Sequence, residues 1–199
     1  MKELLVYVHG KGGCAAEAEH YIPLFPQGDV IGFDYAAQTP WDAREEFQAF
    51  FAAQRARYGR VTLLANSIGA FFSMCALSPA HVDRALFISP IVDMERLILD
   101  MLSWAGATEE ELRRKGEIVT DFGETLSWDY LCYVRAHPIS WRVPTRILYG
   151  ELDNLTSCAT ISAFARASGA PLTVMPAGEH WFHTSAQMSF LDAWLTASL

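Results

Sequence analysis

The run VTLLANSIGAFF, residues 61–72, constrains this chain more than any other stretch. Its first half is an unbroken, largely apolar segment of strand length. After Asn66-Ser67 the apolar residues resume in a helix-like pattern through Ile68, Ala70, Phe71 and Phe72. A serine therefore stands where a strand gives way directly to a helix. So abrupt a turn strains the backbone of its central residue, lifts that side chain above the sheet, and admits only small residues two positions to either side. Ala65 and Gly69 meet the demand. A helix N-cap is the alternative reading of Asn66-Ser67, because both residue types satisfy free N–H groups at the start of a helix. The two readings separate only when the rest of the chain is set beside the turn.

That remainder alternates strand-like and helix-like segments. Residues 4–8 form an apolar run consistent with a buried strand and end in His9-Gly10-Lys11-Gly12-Gly13. Residues 14–28 read as a helix and a loop broken at Pro23 and Pro26, and residues 29–33 as a second strand. A helix capped by Asp42 runs to about Tyr58, with Phe47, Phe50 and Phe51 on one side, and Gly59 ends it. Beyond the Ser67 turn come a helix stopped by Ser78-Pro79 and a strand at 84–89. The rhythm returns with a strand at 144–149, a helix at 157–168, a strand at 171–175 and a closing helix at 185–195. Strands separated by helices of this size imply a parallel sheet covered on both faces. Ligands of such sheets gather at the carboxyl ends of the strands, where His9, Ser67 and the loop after Ser89 belong. Between residues 91 and 142 the alternation lapses into helical patches, including a capping box from Thr108 to Glu111. Trp104, Trp128, Tyr130, Tyr133 and Trp141 enrich this segment in aromatics, which suits helix packing or the roof of a pocket.

Composition narrows the partners. With 199 residues, 51% of them hydrophobic, the chain can bury a substantial core, and its length favours one domain. A net charge of -8 and a pI of about 5.2 give no reason to expect nucleic acid or an anionic membrane surface. The cluster Arg113-Arg114-Lys115 reads as a solvated helix face. No run approaches the roughly 18 apolar residues of a membrane helix, and the first apolar run is too short for a signal peptide, so a cytoplasmic location is expected. Cys14, Cys75, Cys132 and Cys158 are far apart and lack zinc-like spacing, which marks them as reduced thiols.

Ala65-Asn66-Ser67-Ile68-Gly69 resembles the nucleophile elbow of the α/β-hydrolase superfamily, departing from Gly-x-Ser-x-Gly in its first position. The resemblance extends over almost the whole chain. The His-Gly loop precedes Ser67, Gly150-Glu151-Leu152-Asp153 follows the strand at 144–149, and Pro176-Ala177-Gly178-Glu179-His180 follows the last strand. It implies an abbreviated α/β-hydrolase fold of about six parallel strands with helices on both faces. Two antiparallel starting strands of larger relatives are missing. A single domain, 1–199, would carry a small helical cap inserted at 91–142.

By the same resemblance Ser67 is the nucleophile, His180 the general base and Asp153 the acid that orients it. The backbone N–H groups of Lys11 and Ile68 form the oxyanion hole, and neither a cofactor nor a metal is required. Asp93 is the reserve acid, since some relatives place it after the earlier strand, and His183 supports the site from behind its reacting groups or touches the substrate.

The plainer readings are an ordinary turn acid at Asp153, structural histidines or a His-x-x-His metal pair at 180 and 183, and a phosphate loop at 10–13. The last lacks the full Walker pattern. The function implied is a serine hydrolase that cleaves a small carboxylic ester through an acyl-enzyme, in a modest, aromatic-rich pocket taking a small-molecule acyl substrate. A thioesterase or acyltransferase on the same triad, or a catalytically silent ligand-binding relative, are the alternatives. An aminoacyl or peptide substrate is less favoured, because no acidic cluster to receive an amine stands out.

Overall fold

The computed structural model describes residues 2–199. In chain order the elements are β1 (Glu3–Val8), a 3-10 helix (Ala15–Leu24), β2 (Gly28–Phe33), α1 (Pro40–Arg55), β3 (Arg60–Asn66), α2 (Ser67–Ala76) and β4 (Arg84–Ile88). There follow α3 (Met94–Trp104), α4 (Glu109–Lys115), β5 (Glu117–Val119), β6 (Thr125–Ser127) and α5 (Trp128–Ala136). The chain closes with β7 (Thr145–Gly150), α6 (Cys158–Ser168), β8 (Leu172–Met175) and α7 (Ser185–Ser198). Two compact units result. One runs to Val92 and resumes at Ser140–Leu199; the other is Asp93–Ile139.

The first unit is built on a six-stranded sheet in the order β2-β1-β3-β4-β7-β8, every neighbouring pair parallel. Buried runs explain the central strands: Leu4 to Val8 and Val61 to Ala65 are apolar except for Thr62 and have almost no exposed surface. Alternate residues feed opposite faces. Leu5, Tyr7, Leu64, Leu86 and Leu148 pack with Tyr21 and Phe25 around the 3-10 helix and with Leu191, Trp194 and Leu195 of α7. On α1 and α2, Phe47, Phe51 and Phe72 make ring contacts among themselves, and Phe47 and Phe51 also meet Phe33 at the end of β2. The chain leaves β1 for β2 on one side and then crosses to β3 on the other, so the direction of winding reverses between β1 and β3. That reversal opens a crevice beyond their carboxyl ends.

Several details differ from expectation. Helix α1 begins at Pro40 and is capped by Thr39, whose Oγ1 accepts the Asp42 N–H at 3.3 Å; Asp42 lies in the first turn, where its charge suits the helix dipole. The segment after the glycine loop is a 3-10 helix with Pro23 inside it. Trp141 belongs to the first unit, where it is buried, packs on Phe87 and donates to Thr145 Oγ1 at 2.7 Å. In the second unit, β5 and β6 form an antiparallel hairpin that the sequence did not announce. The unit is fastened by Arg135, which bridges Glu95 of α3 and Glu109 of α4, and it buries Leu112 and Leu131 completely.

Asp83 ties the start of the Ser67 strand to its neighbours. Its Oδ2 accepts the Val61 N–H at 2.7 Å, its own N–H donates to Val61 O at 2.9 Å, and Arg55 at the end of α1 clasps its carboxylate. Burial alone would raise this carboxyl, but the Arg55 and Val61 donors outweigh it and hold the group below the usual carboxylate range. A depressed folded-state value means stability that is present above the unfolded carboxylate value and lost as pH falls through the folded one. Asp83→Asn should therefore cost about 1 kcal/mol near neutral pH, the scale of a partly exposed pair, with the difference from wild type closing as pH falls below the ordinary carboxylate range. Urea unfolding at both pH values checks it.

Candidate active site

The strand-to-helix junction holds Ser67 at φ +51°, in the left-handed region that a serine adopts only under constraint. Two contacts impose it. The Ile91 N–H, in the loop after β4, donates to Ser67 O at 3.2 Å. Gly69 lies so close to the end of β1 that a Cβ there would stand 2.3 Å from His9 O and 2.9 Å from Val8 O. Helix α2 is thus packed directly on the loop that follows β1, and only glycine permits the approach.

Asp153 follows β7 in a turn closed by its N–H donating to Gly150 O at 3.0 Å. Its Oδ1 accepts the N–H groups of Leu155 at 2.8 Å and Thr156 at 3.0 Å, which leaves Oδ2 facing His180. The distance from His180 Nδ1 to that oxygen is 2.7 Å, and the Asp153 side chain has no exposed surface. A carboxylate only accepts, so Nδ1 carries the proton and Nε2 is left with its lone pair free. Ser67 Oγ lies 2.8 Å from Nε2 and donates to it. Ser67, His180 and Asp153 thus form one hydrogen-bonded line, although 113 and 27 residues separate its two pairs of partners.

The other expected residues are distributed around this line. Lys11 lies in the turn closed by the Gly13 N–H on Gly10 O, and it lines a pocket of about 350 Å³ beside Ser67. Ile68 occupies the first turn of α2, whose N–H groups have no acceptor within the helix. Asp93 is engaged elsewhere, as the N-cap of α3, its Oδ1 accepting the Arg96 N–H at 2.9 Å. His183 is also apart from the line: its Nδ1 donates to Trp181 O at 2.7 Å and its ring stacks on the Trp181 indole at 4.5 Å. His9 stacks on Tyr35 at 4.4 Å, and its carbonyl accepts the Tyr35 hydroxyl at 2.9 Å.

The pocket wall is poorer in aromatics than expected. Beside the glycine loop, Ser67 and His180 it presents Glu17, Asn66, Leu155 and the indole of Trp181. Glu17 is the residue that sequence reasoning missed. Its signal was position alone: it falls in the first turn of the helix after the glycine loop, on the side that faces back toward the loop.

The strain at Ser67 has a measurable consequence. Glycine adopts the left-handed conformation without penalty, whereas alanine bears the same Cβ clash as serine. The Ser67→Gly protein should be more stable than the Ser67→Ala protein by about 1 kcal/mol, read from their denaturant midpoints at equal slope.

No protein-family model matches this sequence, and no curated protein matches it. Solved structures do match its fold. Est1E from Butyrivibrio proteoclasticus superposes with a TM-score of 0.70 at 16% identity, over 99% of this chain and 86% of that one. Alpha/beta hydrolase domain-containing protein 10 from mouse gives 0.73 at 16% identity, over 98% and 88%. The Pyrococcus furiosus esterase Pf2001 gives 0.63 at 16% identity, over 99% and 81%. Among the described residues no helix is long and apolar enough to cross a membrane. With its reversal of winding between β1 and β3, its six parallel strands and its strained serine at a strand-helix junction, the chain has the α/β-hydrolase fold in an abbreviated form.

Proposed function

We propose that this protein is a serine hydrolase that cleaves a small carboxylic ester through an acyl-enzyme. The observation that carries the reading is the hydrogen-bonded line from Ser67 Oγ to His180 Nε2 and from His180 Nδ1 to the buried Asp153 carboxylate. A serine hydroxyl is a weak nucleophile near neutral pH, and it gains strength when an adjacent base accepts its proton as the new bond forms. His180 accepts that proton on Nε2. Asp153, held by two backbone N–H groups, keeps the other nitrogen protonated and stabilises the imidazolium that results.

The oxyanion of the tetrahedral intermediate would lie between the N–H groups of Lys11 and Ile68, each such donor contributing about 3 kcal/mol to the transition state. His180 then returns the proton to the leaving alcohol, and water repeats the sequence on the acyl-enzyme. Two of the similar structures bear esterase names, which accords with this choice among the reactions the fold supports. The residues that line the pocket belong to the first unit, and its volume suits a small substrate.

A fluorophosphonate should label the wild-type protein and leave the Ser67→Ala protein unlabelled, as read by intact mass. On a short p-nitrophenyl ester, His180→Ala and Asp153→Asn should each lower kcat by a factor on the order of a thousand or more, while His183→Ala retains most of the activity. Loss of turnover in His183→Ala with retention in His180→Ala would transfer the base to the second histidine. An unlabelled wild-type protein would exclude the serine mechanism.

A further inference from the structure

We propose that Glu151 is a positioning residue for His180, acting through the turn that delivers the histidine to the site. This rests on the hydrolase reading above and adds a residue to its machinery. Strand β8 ends at Met175, and the chain then turns through Pro176 and Ala177, the Gly178 N–H donating to Met175 O at 3.1 Å. Proline holds the second position of the turn at a φ of about −65°. Ala177, at the third position, has φ +54°. That combination is the type II turn, whose third position favours glycine. Alanine bears the Cβ clash of the left-handed region there, and the type I turn, with φ negative at both positions, would relieve it.

The two forms differ by a flip of the peptide between Pro176 and Ala177. In the form observed, the Ala177 N–H donates to Glu151 Oε2 at 2.9 Å. Because the peptide is planar and trans, the flip would turn that N–H away and bring the Pro176 carbonyl to face the carboxylate, two acceptors with no proton between them. Glu151 therefore selects the strained form. The choice reaches the site because the turn is packed on the loop that carries Asp153. The Glu151 N–H donates to Met175 O at 3.0 Å and the Leu152 N–H to Gly178 O at 2.7 Å. A Cβ at Gly150 would stand 2.6 Å from Gly178 O and 2.4 Å from Glu179 O. Gly178 is thus pinned, and a change in the turn passes on through Glu179 to His180. The imidazole spans 2.7 Å to Asp153 and 2.8 Å to Ser67, so it tolerates little displacement.

Two competing roles for Glu151 are a charge that acts on the imidazolium through space and a contact that merely stabilises the fold. Glutamine keeps an acceptor oxygen and removes the charge, whereas alanine removes both. Glycine at position 177 takes the left-handed conformation unaided, so it replaces the clamp without replacing the carboxylate. Glu151 and Ala177 are both exposed, and truncating either leaves no cavity in the core. The experiment compares Glu151→Gln, Glu151→Ala, Ala177→Gly and the double variant of the last two with the wild type on a short p-nitrophenyl ester.

Glu151→Ala should lower kcat about tenfold and change KM by less than about twofold, as a small misplacement of a reacting group does. Glu151→Gln and Ala177→Gly should each stay within about twofold of wild type, and Ala177→Gly should bring Glu151→Ala back to within about threefold. Glu151→Gln as impaired as Glu151→Ala would assign the effect to charge and overturn the proposal. A double variant that regains its urea midpoint but not its kcat would reduce Glu151 to a stabilising contact and overturn it too. The downfield proton resonance of His180 Nδ1, bonded to Asp153, gives a readout that needs no turnover. It should shift in Glu151→Ala and return in the double variant, and an unaltered resonance in Glu151→Ala refutes the positioning role. If the wild type cleaves no ester while the resonance follows this pattern, the hydrolase reading falls and the positioning of His180 stands.

Discussion

The backbone of Ser67 is held where a serine does not go unaided, and the site depends on that restraint. A relaxed serine at the head of α2 would direct its hydroxyl toward the helix as a cap; at φ +51° it meets the imidazole of His180 instead. The surroundings that enforce this are mostly main chain: the Ile91 N–H on one side, and on the other the carbonyls of Val8 and His9 pressing on a residue without a Cβ. Strain of about 1–3 kcal/mol is tolerable in such a place because the sheet beneath is buried on both faces and does not yield to it. Only small side chains fit beside such a turn, and alanine at position 65 meets that demand where the resembling motif has glycine.

Much of this was legible in the residue order. Apolar runs of strand length separated by helix-like segments pointed to a parallel sheet, and the resemblance of the ordered Ser67, Asp153 and His180 to the α/β-hydrolase pattern anticipated six strands and which side chains meet. Periodicity reads burial, and the central strands β1 and β3 are buried on both faces, so their signal is strong. What escaped was decided by tertiary context. Asp42 and Thr39 both make plausible caps, and only the chain's entry into α1 through Pro40 selects Thr39. The hairpin of β5 and β6 has strands of three residues, too short for an alternation to register. Trp141 lies near a run of other aromatics in sequence but packs on Phe87 of the sheet, a partner no local pattern reveals.

Glu17 belongs with these omissions for a different reason. A glutamate in the first turn of a helix is so ordinary, through its favourable interaction with the helix dipole, that nothing marks one facing a pocket. The marks are spatial: the hydroxyl of a tyrosine from β1 donates to it, it lines the same pocket as Ser67, and a glycine leaves it space. Asp153 shows the converse case. Its turn of Gly, Glu, Leu and Asp looks like common loop chemistry, yet two backbone donors spend one of its oxygens and aim the other.

The long separation between Ser67 and His180 also bears on the order in which the molecule matures. Strands β1, β2 and β3 and their helices supply local contacts that a chain emerging from the ribosome can make early, whereas the histidine arrives with the last tenth of the polypeptide. Until then Ser67 Oγ lacks its hydrogen-bond partner. A half-synthesised chain would also lack Leu155 and Trp181, so the wall of the pocket and the contact to Ser67 are completed together, by the last part of the polypeptide.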